Sequence, residues 1–127
     1  MAEETSILKT IKKMIGGDVD SDYFDLDLIV AINSAISTLY QIGIETLNLQ
    51  GNAFEITGED ETWAELIGNY KYVNMVKSYI YQRVRLMFDP PQNSFLVNAI
   101  QDQIKETEWR LTVAIETDNS VSDTDGQ

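Results

Sequence analysis

No histidine and no cysteine occur among the 127 residues. Without them the chain can build no Ser-His-Asp triad, no Cys-His nucleophile pair, no imidazole or thiolate zinc site and no disulfide framework. Carboxylates, lysine, tyrosine and hydroxyls are the groups left for chemistry. A cysteine-free composition also fits reducing and oxidising surroundings equally, so it carries no clue to compartment. Long apolar runs are missing too: none exceeds the five residues from Leu28 to Ile32, so no membrane span is expected. The opening Met1-Ala2-Glu3-Glu4 lacks the basic and apolar stretches of a secretory leader. Basic residues are scarce, 9 against 21 acidic ones, for a net charge of −12. Phosphate binding needs clustered Lys and Arg, so tight wrapping of nucleic acid is disfavoured, whereas DNA passing close by without sticking is not.

What is present points to one acidic domain. At 14.4 kDa and 43% apolar residues, surface scaling leaves roughly 6,800 Å² accessible and buries about two thirds of the unfolded surface, enough for one modest core. Apolar periodicity marks four helical segments. In the first, Ile7, Leu8, Ile11, Met14 and Ile15 form one side, Lys9, Lys12 and Lys13 the other, and Gly16-Gly17 stops the helix. The three lysines are either a solvated face or a docking patch for an acidic partner. The aspartates from Asp18 to Asp27 imitate a calcium loop, but Tyr23 stands where glycine is needed and Ile29 where the bidentate glutamate is needed. They read instead as a helix start, with Ser21 or Asp22 as cap and Asp25 and Asp27 favoured by the first-turn dipole.

The second helix is predicted from about Tyr23 to Gln41, burying Leu28, Ile29, Ile32, Ala35, Ile36 and Leu39. Its opposite face, Asn33, Ser34, Ser37 and Thr38, is small and polar enough to meet another surface. Over 43–61 the period changes to two, with Leu47 and Leu49 before Gly51-Asn52 and Phe54 and Ile56 after it, which predicts a long loop or short β-hairpin. Such a ribbon is marginal alone and must pack on its own helices or on a neighbour. The third helix opens on the capping box Thr62-Trp63-Ala64-Glu65 and is predicted to run about 40 Å, carrying Tyr70, Tyr72, Tyr79 and Tyr81, until Pro90-Pro91 stops it at Asp89. The fourth starts at Asn93 or Ser94 and buries Leu96, Ala99, Ile100, Ile104 and Leu111. Trp109 sits among charges there, either completing the core or anchoring a partner. The expected fold is therefore all-α, a small bundle of about four helices over residues 1–116. With one apolar residue in the last eleven, 117–127 is expected to be a disordered acidic tail until something binds it.

The run from Tyr79 to Ser94, containing Phe88-Asp89-Pro90-Pro91 and then Asn93-Ser94, followed by Glu108-Trp109-Arg110-Leu111, resembles the tailed-phage head-tail connector (adaptor, head completion) proteins. Asp27-Leu28-Ile29 with Ala31 to Ala35 fits the same family, and the resemblance covers roughly residues 5 to 113. It implies a small helical adaptor that is not an enzyme and needs no cofactor. Such adaptors form a ring, usually twelve-fold, beneath the portal protein of a filled head, extend the DNA channel and receive a neck or tail-completion (stopper) protein. Their place is the virion head-tail interface, reached through the host cytoplasm during assembly. Double-stranded DNA would pass through the lumen without sequence-specific binding, and an acidic ring would repel its phosphates. The expected subunit or partner contacts are Leu47, Leu49, Phe54 and Ile56 of the loop, Tyr72 and Tyr79, and Lys9, Lys12 and Lys13.

Two other readings compete. An acidic binding module that mimics DNA would display carboxylates in a spaced stripe, yet 14 of the 21 acids fall in three clusters, 18–27, 55–65 and 116–125. A carboxylate-magnesium enzyme would need acids converging in a pocket, whereas the folded stripes are apolar.

Overall fold

The computed structural model describes residues 5–16, 21–44, 54–68 and 70–125. Five helices follow one another: α1 (Ile7–Ile15), α2 (Asp25–Ile42), α3 (Trp63–Ile67), α4 (Val73–Phe88) and α5 (Ser94–Asp125). The all-α expectation holds, and no strand occurs among the described residues.

The helix ends follow from local chemistry. Ser6 caps α1, its hydroxyl accepting the Lys9 N–H at 3.3 Å. α2 begins without a side-chain cap. Ser21 and Asp22 act one turn upstream instead, the Ser21 hydroxyl accepting the Tyr23 N–H and the Asp22 carbonyl accepting the Asp25 N–H at 3.2 Å. Asp25 and Asp27 do occupy the first turn, where the positive end of the helix dipole favours them. The capping box forms as expected: Glu65 N–H donates to the Thr62 hydroxyl at 3.2 Å and Thr62 N–H to the Glu65 carboxylate at 3.0 Å. At α5 the Asn93 side chain accepts the Phe95 N–H at 2.8 Å.

Two expectations are corrected. The helix predicted from Thr62 to Asp89 is two helices, because Gly68 takes φ 58° and ψ −133°, a conformation essentially confined to glycine. The break turns the capped segment aside, and α4 starts afresh at Val73. The tail is the second. α5 continues as helix through Asp125, past the boundary at 116. Helix propagation adds a backbone hydrogen bond per residue once the costly first turn exists, and no Gly or Pro interrupts the chain between Ser94 and Gly126.

The core is built on the pairing of α2 with α4, which α1 and α5 flank. Leu28, Ala31, Ile32, Ala35, Ile36 and Leu39 of α2 meet Val76, Tyr79, Ile80 and Val84 of α4, with Ile7, Leu8 and Ile11 from α1. α5 adds Leu111 to this buried set, with Ile104 and Ile115 partly covered. The start of α1 is clasped to the start of α3 by an antiparallel bridge between Ser6 and Thr62. Ile7 N–H bonds the Glu61 carbonyl and Trp63 N–H bonds the Thr5 carbonyl, each at 3.1 Å, while the Trp63 indole N–H reaches the Thr10 hydroxyl at 3.0 Å.

Candidate functional site

Among the described residues, no group of three or more acidic side chains is placed to hold a metal ion. What the chain does build is a rigid internal polar frame and an uneven outer surface.

Arg83 organises the frame. Its guanidinium donates to the Thr38 hydroxyl on α2 at 2.9 Å and to the Tyr79 hydroxyl at 3.0 Å, and Tyr79 donates to the Glu108 carboxylate on α5 at 2.6 Å. Three helices are thereby keyed in register. Burial and the hydrogen bond to Glu108 push the Tyr79 phenol up to about 12, so it stays a neutral donor through the physiological range.

A second set of bonds holds the segment 54–61. Both polar atoms of the Asn33 amide are used on it: the side-chain N–H donates to the Ile56 carbonyl at 3.0 Å and the amide oxygen accepts the Ile56 N–H at 2.7 Å. Glu61 closes the turn by accepting the Thr57 hydroxyl at 2.7 Å and the Gly58 N–H at 3.2 Å. Burial raises the Glu61 carboxyl, yet these hydrogen bonds outweigh it and leave the group below its ordinary value. Lys9 pairs with Glu59 at 3.8 Å. Lys12 is drawn inward, pairing with Asp25 at 2.5 Å and donating to the Ser21 carbonyl at 2.7 Å.

Measured against these bonds, several expected contact residues belong to the interior. Phe54 and Ile56 are core residues; Asn33 docks the Ile56 backbone against α2, and both side chains are buried. Tyr79 is fully buried, and its hydroxyl is consumed by the frame. Lys12 is buried and ion-paired rather than solvated. The polar face of α2 is likewise used at home, Asn33 on the 56 segment and Thr38 on Arg83. Lys13 is exposed, and Tyr72 is half-buried, its ring edge-on to Tyr70 at 5.5 Å. Leu47 and Leu49 lie outside the described residues. In the Phe88 to Ser94 motif, Asp89 and Pro90 are exposed and Asn93 serves as the α5 cap. Of Glu108-Trp109-Arg110-Leu111, Glu108 joins the frame, Leu111 the core, Arg110 pairs with Glu106 at 3.1 Å, and Trp109 stays 65% exposed.

The outer surface concentrates apolar side chains where α2 and α5 begin and α4 ends. Tyr23 is 81% exposed and Phe95 77%, and Phe24, Leu26, Val30, Met87 and Leu96 are also uncovered. Tyr23, Phe24 and Phe88 stack edge-to-face in sequence, with centroids 4.6 and 5.3 Å apart, so the start of α2 and the end of α4 share one aromatic cluster. Beside it opens a cleft of about 280 Å³, lined by Ile15, Phe24, Leu28 and Phe88 and floored by the Lys12–Asp25 pair. Sequence reasoning missed this surface, although Leu26 and Val30, one turn apart, trace a second apolar stripe on α2.

Two comparisons with known proteins give nothing: no curated protein and no solved structure matches the chain. A family model described as phage connector protein matches residues 7–118.

Proposed function

Since that match spans nearly the whole chain, the protein belongs to the phage connector family, and on this premise we propose that it is the head-tail adaptor of a tailed phage. It is a structural connector of a phage particle. In the proposed role its copies close into a ring, twelve-fold in the virion, under the portal protein, extend the DNA channel and receive the neck or tail-completion protein.

The observation that carries this reading is the uncovered aromatic cluster of Tyr23, Phe24 and Phe88 where α2 begins and α4 ends. Monomeric proteins seldom leave large contiguous apolar patches in water, and such patches mark interaction surfaces. A ring needs unlike surfaces on one chain, since head-to-tail contacts close by rotation. The work is geometric, and no reaction is required of the chain. An excess of 12 negative charges per copy would hold DNA phosphates off the lumen, favouring passage over adhesion. Residues 117–127 would serve as an arm that meets the portal. The DNA-mimic reading loses support because Asp25, Glu59 and Glu61 are engaged in bonds within the chain.

The test is the assembly mass of the purified protein, alone and mixed with the portal of its phage. A closed ring on the portal is expected. A chain that ignores the portal would overturn the proposal.

A further inference from the structure

We propose that α5 is exchanged around the ring: each copy lays its α5 on α2 and α4 of the next copy, in the seat this helix takes within its own chain. The inference rests on the ring reading and names the segment that joins neighbours. The contacts of the closed chain identify the occupant of that seat. Leu111 enters the core, and Ile115 packs over Gly43 at the end of α2, where an added Cβ would stand 3.5 Å from it. The Tyr79 hydroxyl donates to Glu108 at 2.6 Å and the Gln82 amide to Gln103 at 2.9 Å. A second copy presents the same groups, so its α5 satisfies the seat equally well.

Little holds α5 to its own bundle. Leu111 is its one residue in the buried core among the described residues, and the helix makes no side-chain hydrogen bond to another helix before Gln103. Near its start, α4 and α5 part around a cleft of about 290 Å³ lined by Gln82, Arg85, Leu96, Ala99 and Ile100. The connector is Asp89-Pro90-Pro91-Gln92-Asn93, and its bonds are local: the Asp89 N–H reaches the Arg85 carbonyl, and Asn93 caps α5. Two prolines forbid a continuous α4–α5 helix, so the connector opens as a stiff extended strap. Short hinge loops of this kind are where identical elements change places between chains, a low-cost route to association.

The reach of the connector then decides which surfaces meet. The links Gln82–Gln103, Tyr79–Glu108 and Lys71–Asp118 follow one another in opposite chain directions, so α5 runs antiparallel to α4 and starts beside the α4 end. From Phe88 to Ser94 an extended chain covers at most about 20 Å. An exchanged α5 therefore draws the α4 ends of two neighbours together. At each of these ends Phe24 packs on Phe88 with centroids 5.3 Å apart and Tyr23 is 81% exposed, while Met87 and Phe95 stand uncovered on either side of the connector. Contacts within the seat are the same in the closed and exchanged forms and cancel, so the gain comes from covering these aromatic groups. Each copy gives one helix and receives another, a head-to-tail pattern that closes by rotation.

The chain has no cysteine, so an introduced thiol pair reports where α5 sits. Gln82→Cys with Gln103→Cys replaces two side chains that meet across α4 and α5 at 2.9 Å. Rings of this full-length variant are assembled on the portal, bridged with a short bis-thiol reagent and separated on a denaturing gel. A ladder of covalently joined chains extending beyond two is expected. Single chains alone would overturn the exchange while leaving the ring reading intact, and products that stop at two would overturn it as well, since reciprocal pairs close no ring. Bridging the free chain before it meets the portal is expected to abolish ring formation, whereas the unbridged variant still assembles. Bridged chains that form rings as readily as the parent also overturn the exchange. Lys71→Cys with Asp118→Cys repeats the assay at the far end of α5, across an exposed pair at 3.3 Å, so no single destabilised variant decides the outcome. A parent chain that forms no ring, on the portal or off it, removes the ring reading and the exchange together.

Discussion

Leu111→Ala is expected to lower the unfolding free energy by about 3–4 kcal/mol, within the usual range for a fully buried leucine truncated to alanine. The size follows from how narrowly α5 is attached. Leu111 is the one residue of this 32-residue helix in the buried core among the described residues, while Ile104 and Ile115 are only partly covered. The remaining links are polar: Tyr79 to Glu108 at 2.6 Å, Gln82 to Gln103 at 2.9 Å and the exposed pair Lys71–Asp118 at 3.3 Å. Exposed ion pairs contribute about 0–1 kcal/mol each, so they cannot replace the lost apolar contact. Hydrogen exchange should therefore quicken along α5 well before it does in α2. A uniform loss of protection in both helices would mean that α5 and the α2–α4 pair open as one unit, and a cost below about 1 kcal/mol would show that Leu111 is not the anchor.

Lys12→Met should cost about 3 kcal/mol, the lower end for breaking a buried ion pair by deleting one partner. The Lys12 side chain is 5% exposed and the Asp25 side chain 20%. Methionine fills much of the same volume, so the effect isolates the charge. It leaves the Asp25 carboxylate facing an apolar cleft without its counter-ion, and leaves the Ser21 carbonyl without the 2.7 Å donor. The residual access of Asp25 to water keeps the cost at the low end. Asp25→Asn should cost less, because Lys12 keeps the Ser21 carbonyl and stands 4.0 Å from Glu59. A double-mutant cycle in urea gives the coupling directly. Additive single losses would show that the two residues act independently.

The parts of this fold that could be read from the chain are those decided by neighbours in sequence. The Thr62 and Glu65 capping box, the stop at Pro90-Pro91 and the apolar stripe of α1 depend on spacing and backbone donors, and they stand where spacing puts them. The break at Gly68 does not depend on spacing alone. Ile67, Tyr70 and Val73 keep the helical interval across it, and an isolated glycine is tolerated within helices, so only its positive φ reveals it. Lys12 departs from its pattern for a related reason. Its interval puts it on the polar side of α1, but a carboxylate from a different helix draws its ammonium inside. Phe54 and Ile56 alternate as strand residues do, yet Asn33, some twenty residues earlier, supplies the hydrogen bonds a partner strand would have given. For the candidate contact surface the chain offered Trp109 as a choice between core and anchor. Exposure decides against the core, and the apolar cleft lined by Ile15, Leu28 and Phe88 is assembled from three helices whose proximity no local pattern encodes.

Ile44 and Phe54 are both buried, so the chain between them is fixed at both ends by the core. Closure entropy between fixed ends grows only with the logarithm of the intervening length, about 0.6 kcal/mol for each doubling. Length at this point is therefore a variable nearly separate from stability: four residues inserted between the two anchors should leave the urea midpoint almost unchanged, whereas a large drop would show that the inserted stretch disturbs the packing.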